Sequence, residues 1–391
     1  MLWSYWLGDP LMSMPTIANG KVFTAYPAGA YGLNNMNQGY NNQGLNQIQL
    51  LGNDGEIEDP KDLSDDEIEP NVIQPKQVPD PKTAPTTRLR PTHALAAFDL
   101  KTGKILWQKW IDGDVMSAPV AHDDELFVVT FPGTFYKFGQ NDGEILAASA
   151  ARATSAPVIV DNGIFFSKRV DIDGQDATET FATASRQNIN AVEEDAENEK
   201  QAVYLDAKVQ SNSTYKSAAV AEDAGNGFGG GAPMSSGWEA ASRNIGQSNV
   251  SSLQNFQGAR VLNYRGANYS LRGDELVCIG EKGGQARWKI KLEGDLEKAG
   301  GFVGTPPLAV NGKLVVATLK GDIVVYEAEG GKELQRYKIG IPIRQQPVVE
   351  DGWIYAGTTA GKVVAIDTGD ESLTGWPVWG GDAAHSGVPT E

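Results

Sequence analysis

The chain has 391 residues, 40% of them hydrophobic, with 45 Gly and 20 Pro, a composition of many short strands and turns. Fifty acidic against 33 basic residues leave a formal charge of −17, the wrong sign for a phosphate backbone or an anionic membrane surface, so no nucleic-acid partner is expected. The single cysteine, Cys278, excludes an intrachain disulfide and a cysteine-rich metal cluster, and no apolar run reaches the roughly 18 residues of a membrane-spanning helix.

In chain order, Met1 to Trp6 shows no basic stretch ahead of an apolar core, so no signal peptide is read there. A phrase of a small residue, Pro and β-branched residues then recurs ahead of a Gly turn. It stands at Ser13-Met14-Pro15-Thr16-Ile17 before Asn19-Gly20, at Ser117-Ala118-Pro119-Val120, and at Ser155-Ala156-Pro157-Val158-Ile159 before Asn162-Gly163. It returns at Thr305-Pro306-Pro307-Leu308 before Asn311-Gly312 and at Gln346-Pro347-Val348-Val349 before Asp351-Gly352, while Arg260-Val261-Leu262 before Arg265-Gly266 lacks the Pro. Asn-Gly or Asp-Gly between alternating apolar runs predicts a hairpin between strands A and B of each unit. Further turns follow strand B (Pro132-Gly133, Gly273-Asp274, Gly321-Asp322, Ala360-Gly361) and strand C (Thr102-Gly103, Asp142-Gly143, Gly283-Gly284, Gly330-Gly331).

Four strands per roughly 40 residues predict an all-β fold, a β-propeller of four-stranded antiparallel blades. Six blades are expected over residues 1–391, or seven or eight if an upstream part is missing. Trp107 and Trp288, each four residues after a turn Gly, are read as structural rings on the outer strand D. The last unit has no obvious strand D. Leu2 to Leu7 would supply it and close the ring; equally, the chain would be the C-terminal part of a longer product. Both readings stay open.

Three polar insertions interrupt the units, and a tail covers 376–391. Residues 28–92 hold an Asn/Gln-rich stretch and then an acidic, Pro-rich one; residues 171–200 are acidic; residues 221–254 are rich in Gly, Ala and Ser. Each is expected to be flexible, because low hydrophobicity cannot offset the entropy of ordering. Placing strand C of the third unit at Ala202 to Asp206 puts the second insertion between strands B and C, as the first is, and the third between D and the next A. Strand direction alternates, so all three would decorate one face, which is the expected surface for protein partners of a monomeric ring.

The phrase Ala97-Phe98-Asp99-Leu100-Lys101-Thr102-Gly103-Lys104-Ile105-Leu106-Trp107, followed by Ser117-Ala118-Pro119-Val120, resembles the pyrroloquinoline-quinone-like (PQQ-like) repeat. Val364-Ala365-Ile366-Asp367-Thr368-Gly369 and the tail Trp376 to Gly387 add to the likeness. The resemblance implies a propeller of the quinoprotein-dehydrogenase-like superfamily, whose non-catalytic members include BamB-like envelope lipoproteins. It implies a periplasmic or cell-envelope setting and a binding or scaffolding role.

The rival reading is a quinoprotein dehydrogenase holding PQQ and calcium. As a family those enzymes carry adjacent cysteines against the cofactor, and Cys278 has no such neighbour, so no cofactor, no metal and no catalytic residue are expected. Asp171-Ile172-Asp173-Gly174 opens like a calcium loop, but its twelfth position is Ala182, which has no side-chain oxygen to offer. Gly227-Phe228-Gly229-Gly230-Gly231 lacks the Lys-Ser/Thr of a phosphate loop. His93, His122 and His385 share no metal-type spacing and are read as turn or loop residues. One ligand or partner site is expected, at Arg152, Arg260 and Arg344, which lie at or just before strand A of their units. There guanidinium forks would receive a carboxylate or phosphate, unless they only neutralise nearby acids.

Overall fold

The computed structural model describes residues 3, 14–27, 50–51, 57–58, 93–170, 178–194, 261–281, 283–295 and 302–387. Every regular element among them is a strand, and the strands form successive antiparallel sheets of the propeller-blade type. The chain divides into two compact units, residues 1–152 with 210–251 and residues 153–209 with 252–391.

In the first unit, β1 (Thr16–Ala18), β2 (Lys21–Pro27), β5 (His93–Asp99) and β6 (Ile105–Ile111) make the first sheet. The short hairpin of β3 (Leu50–Leu51) and β4 (Ile57–Glu58) falls inside the 28–92 insertion. The second sheet is β7 (Val120–His122), β8 (Glu125–Val129), β9 (Phe135–Gly139) and β10 (Ile145–Ser149).

The second unit holds β11 (Val158–Val160), β12 (Gly163–Val170), β13 (Thr178–Ser185) and β14 (Asn188–Glu194) as the third sheet. The fourth is β15 (Val261–Tyr264), β16 (Ala267–Arg272), β17 (Glu275–Gly280) and β18 (Ala286–Lys291), and the fifth β19 (Leu308–Val310), β20 (Lys313–Ala317), β21 (Asp322–Glu327) and β22 (Glu333–Lys338). The sixth has three strands, β23 (Val348–Glu350), β24 (Trp353–Gly357) and β25 (Val363–Asp367).

The third sheet corrects the sequence reading. Its third and fourth strands are β13 and β14, inside the stretch 171–200 expected to be a flexible insertion. The strand expected at 202–206 lies outside the described residues, as does the 221–254 insertion. The acidity of this stretch hid a strand, because the outermost strand of a sheet is a solvated edge on which charge such as that of the exposed Glu193 costs little, while Ile189 still turns inward and is 1% exposed. The hairpin before β12 also turns one residue earlier than expected: Val160 pairs with Gly163, so Asp161 and Asn162 form the turn, and Asp161 takes a φ of 51°. Aspartate tolerates that left-handed region through its short polar side chain.

In register, one row of side chains crosses each sheet on the same face. The rows run Phe23–Ala97–Trp107, Phe127–Lys137–Ala147, Phe165–Thr183–Glu193, Tyr269–Cys278–Trp288 and Val315–Val325–Gln335. In the sixth sheet the row is Tyr355–Ala365 and stops. The register between third and fourth strands slips by one residue in the first, second, fourth and fifth sheets, a bulge that leaves Leu106, Leu146, Arg287 or Leu334 over. A bulge kinks its strand and re-aims the next side chain. Here it turns Trp107 and Trp288 onto the following sheet.

That docking explains the turn glycines after the third strands. A Cβ on Gly143 would stand 2.6 Å from the Trp107 ring and one on Gly331 2.8 Å from the Trp288 ring, and both residues have a positive φ. Trp107 Nε1 donates to the Gln140 carbonyl at 2.9 Å, and Trp288 Nε1 to that of Glu329 at 2.9 Å. Trp3 repeats the geometry in the first unit: its ring stacks on Phe98, its Nε1 donates to the Leu100 carbonyl at 2.9 Å, and Gly103 lies beneath it. The remainder of Leu2 to Leu7 lies outside the described residues.

Candidate functional site

Of the three arginines, one lies in each unit and one outside the described residues. Arg152 ends the first unit with a φ of 53°, half-buried, and the next residue, Ala153, already bridges to Lys168 in the second. Arg344 belongs to the second unit, half-buried after Ile343, and burial holds its guanidinium below the usual arginine range. Arg260 lies outside the described residues, one position before β15.

The segments leading into the first strands are instead stitched by main-chain and hydroxyl contacts. Met14 N–H donates to the Ser117 carbonyl at 2.6 Å, and Thr16 Oγ1 to that of Pro119 at 2.5 Å, joining the first sheet to the second. Gln346 Nε2 donates to the Pro307 carbonyl at 2.9 Å, joining the sixth to the fifth. Proline removes a donor at these strand starts and leaves carbonyls that neighbours use.

Two polar clusters escaped the sequence reading. After β6, Asp112 is 8% exposed and accepts from Thr130 Oγ1 at 2.8 Å and from Thr134 Oγ1, with Tyr136 beside it. Desolvation pushes the Asp112 carboxyl up, and burial together with this carboxylate pushes the Tyr136 phenol well above its ordinary range. The cluster locks the connection after β6 to the turn between β8 and β9. Thr130 and Thr134 flank the Pro132-Gly133 turn but Asp112 belongs to no motif, so only the recurrence of a Thr at the end of a second strand hints at the cluster.

The second cluster is the expected tail. After β25 the chain returns to the inner edge of β23, where Val349 N–H donates to the Trp376 carbonyl at 2.8 Å and Trp376 N–H to that of Val349 at 2.9 Å. Trp376 is 1% exposed, within the apolar core of the second unit, and its Nε1 donates to Gln346 Oε1 at 3.1 Å. A Cβ on Gly387 would stand 2.8 Å from Val158 of β11, so residues 376–387 run from the sixth sheet to the third. His385 is buried there, with Nδ1 2.6 Å from the Trp379 carbonyl.

The other histidines correct the expectation of loop positions, since His93 opens β5 and His122 ends β7. Burial pushes the His93 imidazole down to about 4. Cys278 is buried in β17 between Tyr269 and Trp288, and burial pushes its thiol up. Its chain neighbours are Val277 and Ile279, so this position does not fit the paired cysteines of a PQQ site. Among the described residues, no three or more His, Cys, Asp or Glu side chains gather to hold a metal, and no helix is long and apolar enough to cross a membrane.

A family model described as outer membrane protein assembly factor BamB matches residues 90–162 and 272–386. The two stretches fall in both units and contain the Trp107 and Trp288 phrases. No curated protein matches the chain significantly. Among solved structures, BamB from Moraxella catarrhalis is 12% identical over 70% of this chain and 76% of its own, with a TM-score of 0.35. The computationally designed Ika8 protein is 12% identical over 70% of this chain and 64% of its own, and the C-terminal WD40 domain of Sif2 8% identical over 70% and 61%, both with TM-scores of 0.42. The matched stretches are PQQ-like, BamB-like repeats, and the sheets are those of a β-propeller.

Proposed function

We propose that this PQQ-like repeat propeller is a non-catalytic binding and scaffolding module of the cell envelope, acting in the assembly of envelope proteins and needing neither PQQ nor calcium. The observation that carries the reading is the family match to an outer-membrane protein assembly factor across the repeats of both units. A rigid frame of short strands presents its connections without moving them, and such connections are where binding residues gather. The lone cysteine supports the absence of a quinone, and the charge of −17 favours protein surfaces over nucleic acid.

Protein partners would engage the face bearing the insertions, with Arg152, Arg260 and Arg344 as carboxylate receivers at the strand starts. The protein would work as a monomer in the periplasm or at the envelope. Affinity capture from an envelope fraction tests this, comparing the full chain with one lacking 28–92 and 221–254. Envelope assembly proteins should co-purify with the full chain and fall at least fivefold with the shortened one. An unchanged set of partners would overturn the role of that face. Dye reduction with alcohols or sugars that appears on adding PQQ and calcium would overturn the non-catalytic reading.

A further inference from the structure

The connection from β6 to β7 is laid along the end of β8. Val115 bridges to Thr130, Met116 N–H donates to the Val129 carbonyl and Phe131 N–H to that of Asp114. The turn after β8 is closed by Thr130 N–H on the Thr134 carbonyl at 3.0 Å and by Gly133 N–H on that of Thr130 at 2.8 Å. Over this seam sits the buried Asp112 carboxyl, one oxygen accepting from Thr130 Oγ1 and the other from Thr134 Oγ1. The Tyr136 phenol is a third hydroxyl against it.

Two other shielded carboxyls of the chain are met by cations. The buried Asp322 accepts from Arg336 Nη1 at 2.8 Å, and Glu125 pairs with Lys137 at 2.5 Å. A cation pins a carboxylate in its ionised form, whereas a hydroxyl serves either state, because it donates to a carboxylate and rotates to accept from a carboxylic acid. Burial then decides: desolvation pushes the Asp112 carboxyl above the usual carboxylate range, even with the three hydroxyls beside it. The ionisable groups of the neighbouring elements keep that direction. Tyr136 on β9 is itself held well above its ordinary range, and Asp114, on the same connection, turns Oδ1 to the Val115 N–H at 2.7 Å. Glu125 of β8 and Lys137 of β9 bind each other on the opposite face from Tyr136, and Lys109 of β6 shares the face of Trp107.

We propose that Asp112 makes this seam an acid-tightened latch, loosened at neutral pH, where the buried carboxyl is charged, and closed by a single proton in mild acid. The sign follows from linkage. A group held above its unfolded value, near 3.8, contributes stability that is complete below that value and is lost as the pH rises through the folded one. Connections between strands are where binding residues gather, so the latch sets how firmly this one is presented.

Amide hydrogen exchange of the full chain, corrected for the intrinsic rate at each pH, reads the latch directly. Protection of the Met116, Phe131 and Gly133 amides should rise at least about fivefold between about pH 7 and pH 4, while that of β20 and β21 should not follow it. Asp112→Asn keeps the size and removes the proton site, so it should hold the acid level of protection throughout. Thr134→Val takes one donor from the carboxylate and should move the midpoint of the rise to higher pH. A packing role alone would not move that midpoint. Protection that stays flat, or falls toward acid, overturns the proposal. So does a rise that Asp112→Asn leaves in place, since another group would then be titrating. If Asp112→Asn does not fold, the Thr134→Val midpoint decides, and one that is unmoved or lowered overturns the proposal.

Discussion

The fifth and sixth sheets begin alike, with a proline-marked first strand and a tight hairpin at Asn311-Gly312 or Asp351-Gly352, and end differently. In the fifth, β22 pairs along β21, and Val315 and Val325 of the shared row are 0% and 2% exposed. In the sixth no fourth strand follows β25 among the described residues, the chain turns back to the inner edge of β23 through Trp376, and the larger Tyr355 stays 38% exposed. Burial at this position is thus set by what the next strand lays over it. The side chain's own hydrophobicity does not decide it, because transfer from water requires a covering surface. The return to β23 satisfies the edge of the first strand.

Paired substitutions sharpen that contrast. The largest difference is expected from charge: Val325→Lys would force an ammonium into the covered row and cost more than about 4 kcal/mol, whereas Val363→Lys, at the same face of the open sheet, should stay within about 0.5 kcal/mol. Urea midpoints of the two variants check this; equal losses would mean that β25 is covered in solution. Next come the tryptophans. Trp376→Ala removes a ring 1% exposed in the core and should cost about 3–5 kcal/mol, and Trp353→Ala about 1 kcal/mol. The turn glycines follow. Gly331→Ala meets both a positive φ and the Trp288 ring at 2.8 Å, a loss of about 3 kcal/mol, while Gly369→Ala meets a positive φ of 65° and open space, about 1 kcal/mol.

The parts of this contrast legible in the sequence were those that local chemistry dictates. Asn19-Gly20, Asn311-Gly312 and Asp351-Gly352 turn where such pairs must, and the alternation of β16 marks its faces without reference to anything distant. That no strand follows β25 among the described residues was legible too, as an apolar run that does not come. What local chemistry cannot show is which edge a segment chooses. Trp376-Pro377 reads as a tail because Pro ends a strand, yet its tryptophan pairs with Val349 through contacts that no periodicity encodes. The strand β14 was hidden for the converse reason, since Glu193 looks like a loop acid until an edge position makes it tolerable.

The smallest expected effect lies where the two sheets are tied together. Lys313 of β20 reaches Asp370, beyond β25, at 2.7 Å, and Asp370 Oδ1 also accepts from Ser372 N–H at 3.1 Å. The Lys313 side chain, then Ser372, holds this carboxyl below its ordinary value. A carboxyl depressed in the folded state contributes stability above its unfolded pKa, near 3.8, and loses that contribution as the pH falls through the folded value. Because the Asp370 side chain is 39% exposed, solvent screens the pair and the contribution should be about 0.5 kcal/mol. Asp370→Asn should therefore lower the urea midpoint slightly at neutral pH and leave it equal to that of the unaltered chain near pH 2, with the gap closing in about 1 M salt. A gap that survives both acid and salt would show that the Asp370 contact holds the sixth sheet to the fifth by packing, and that the sixth depends on its neighbour through more than charge.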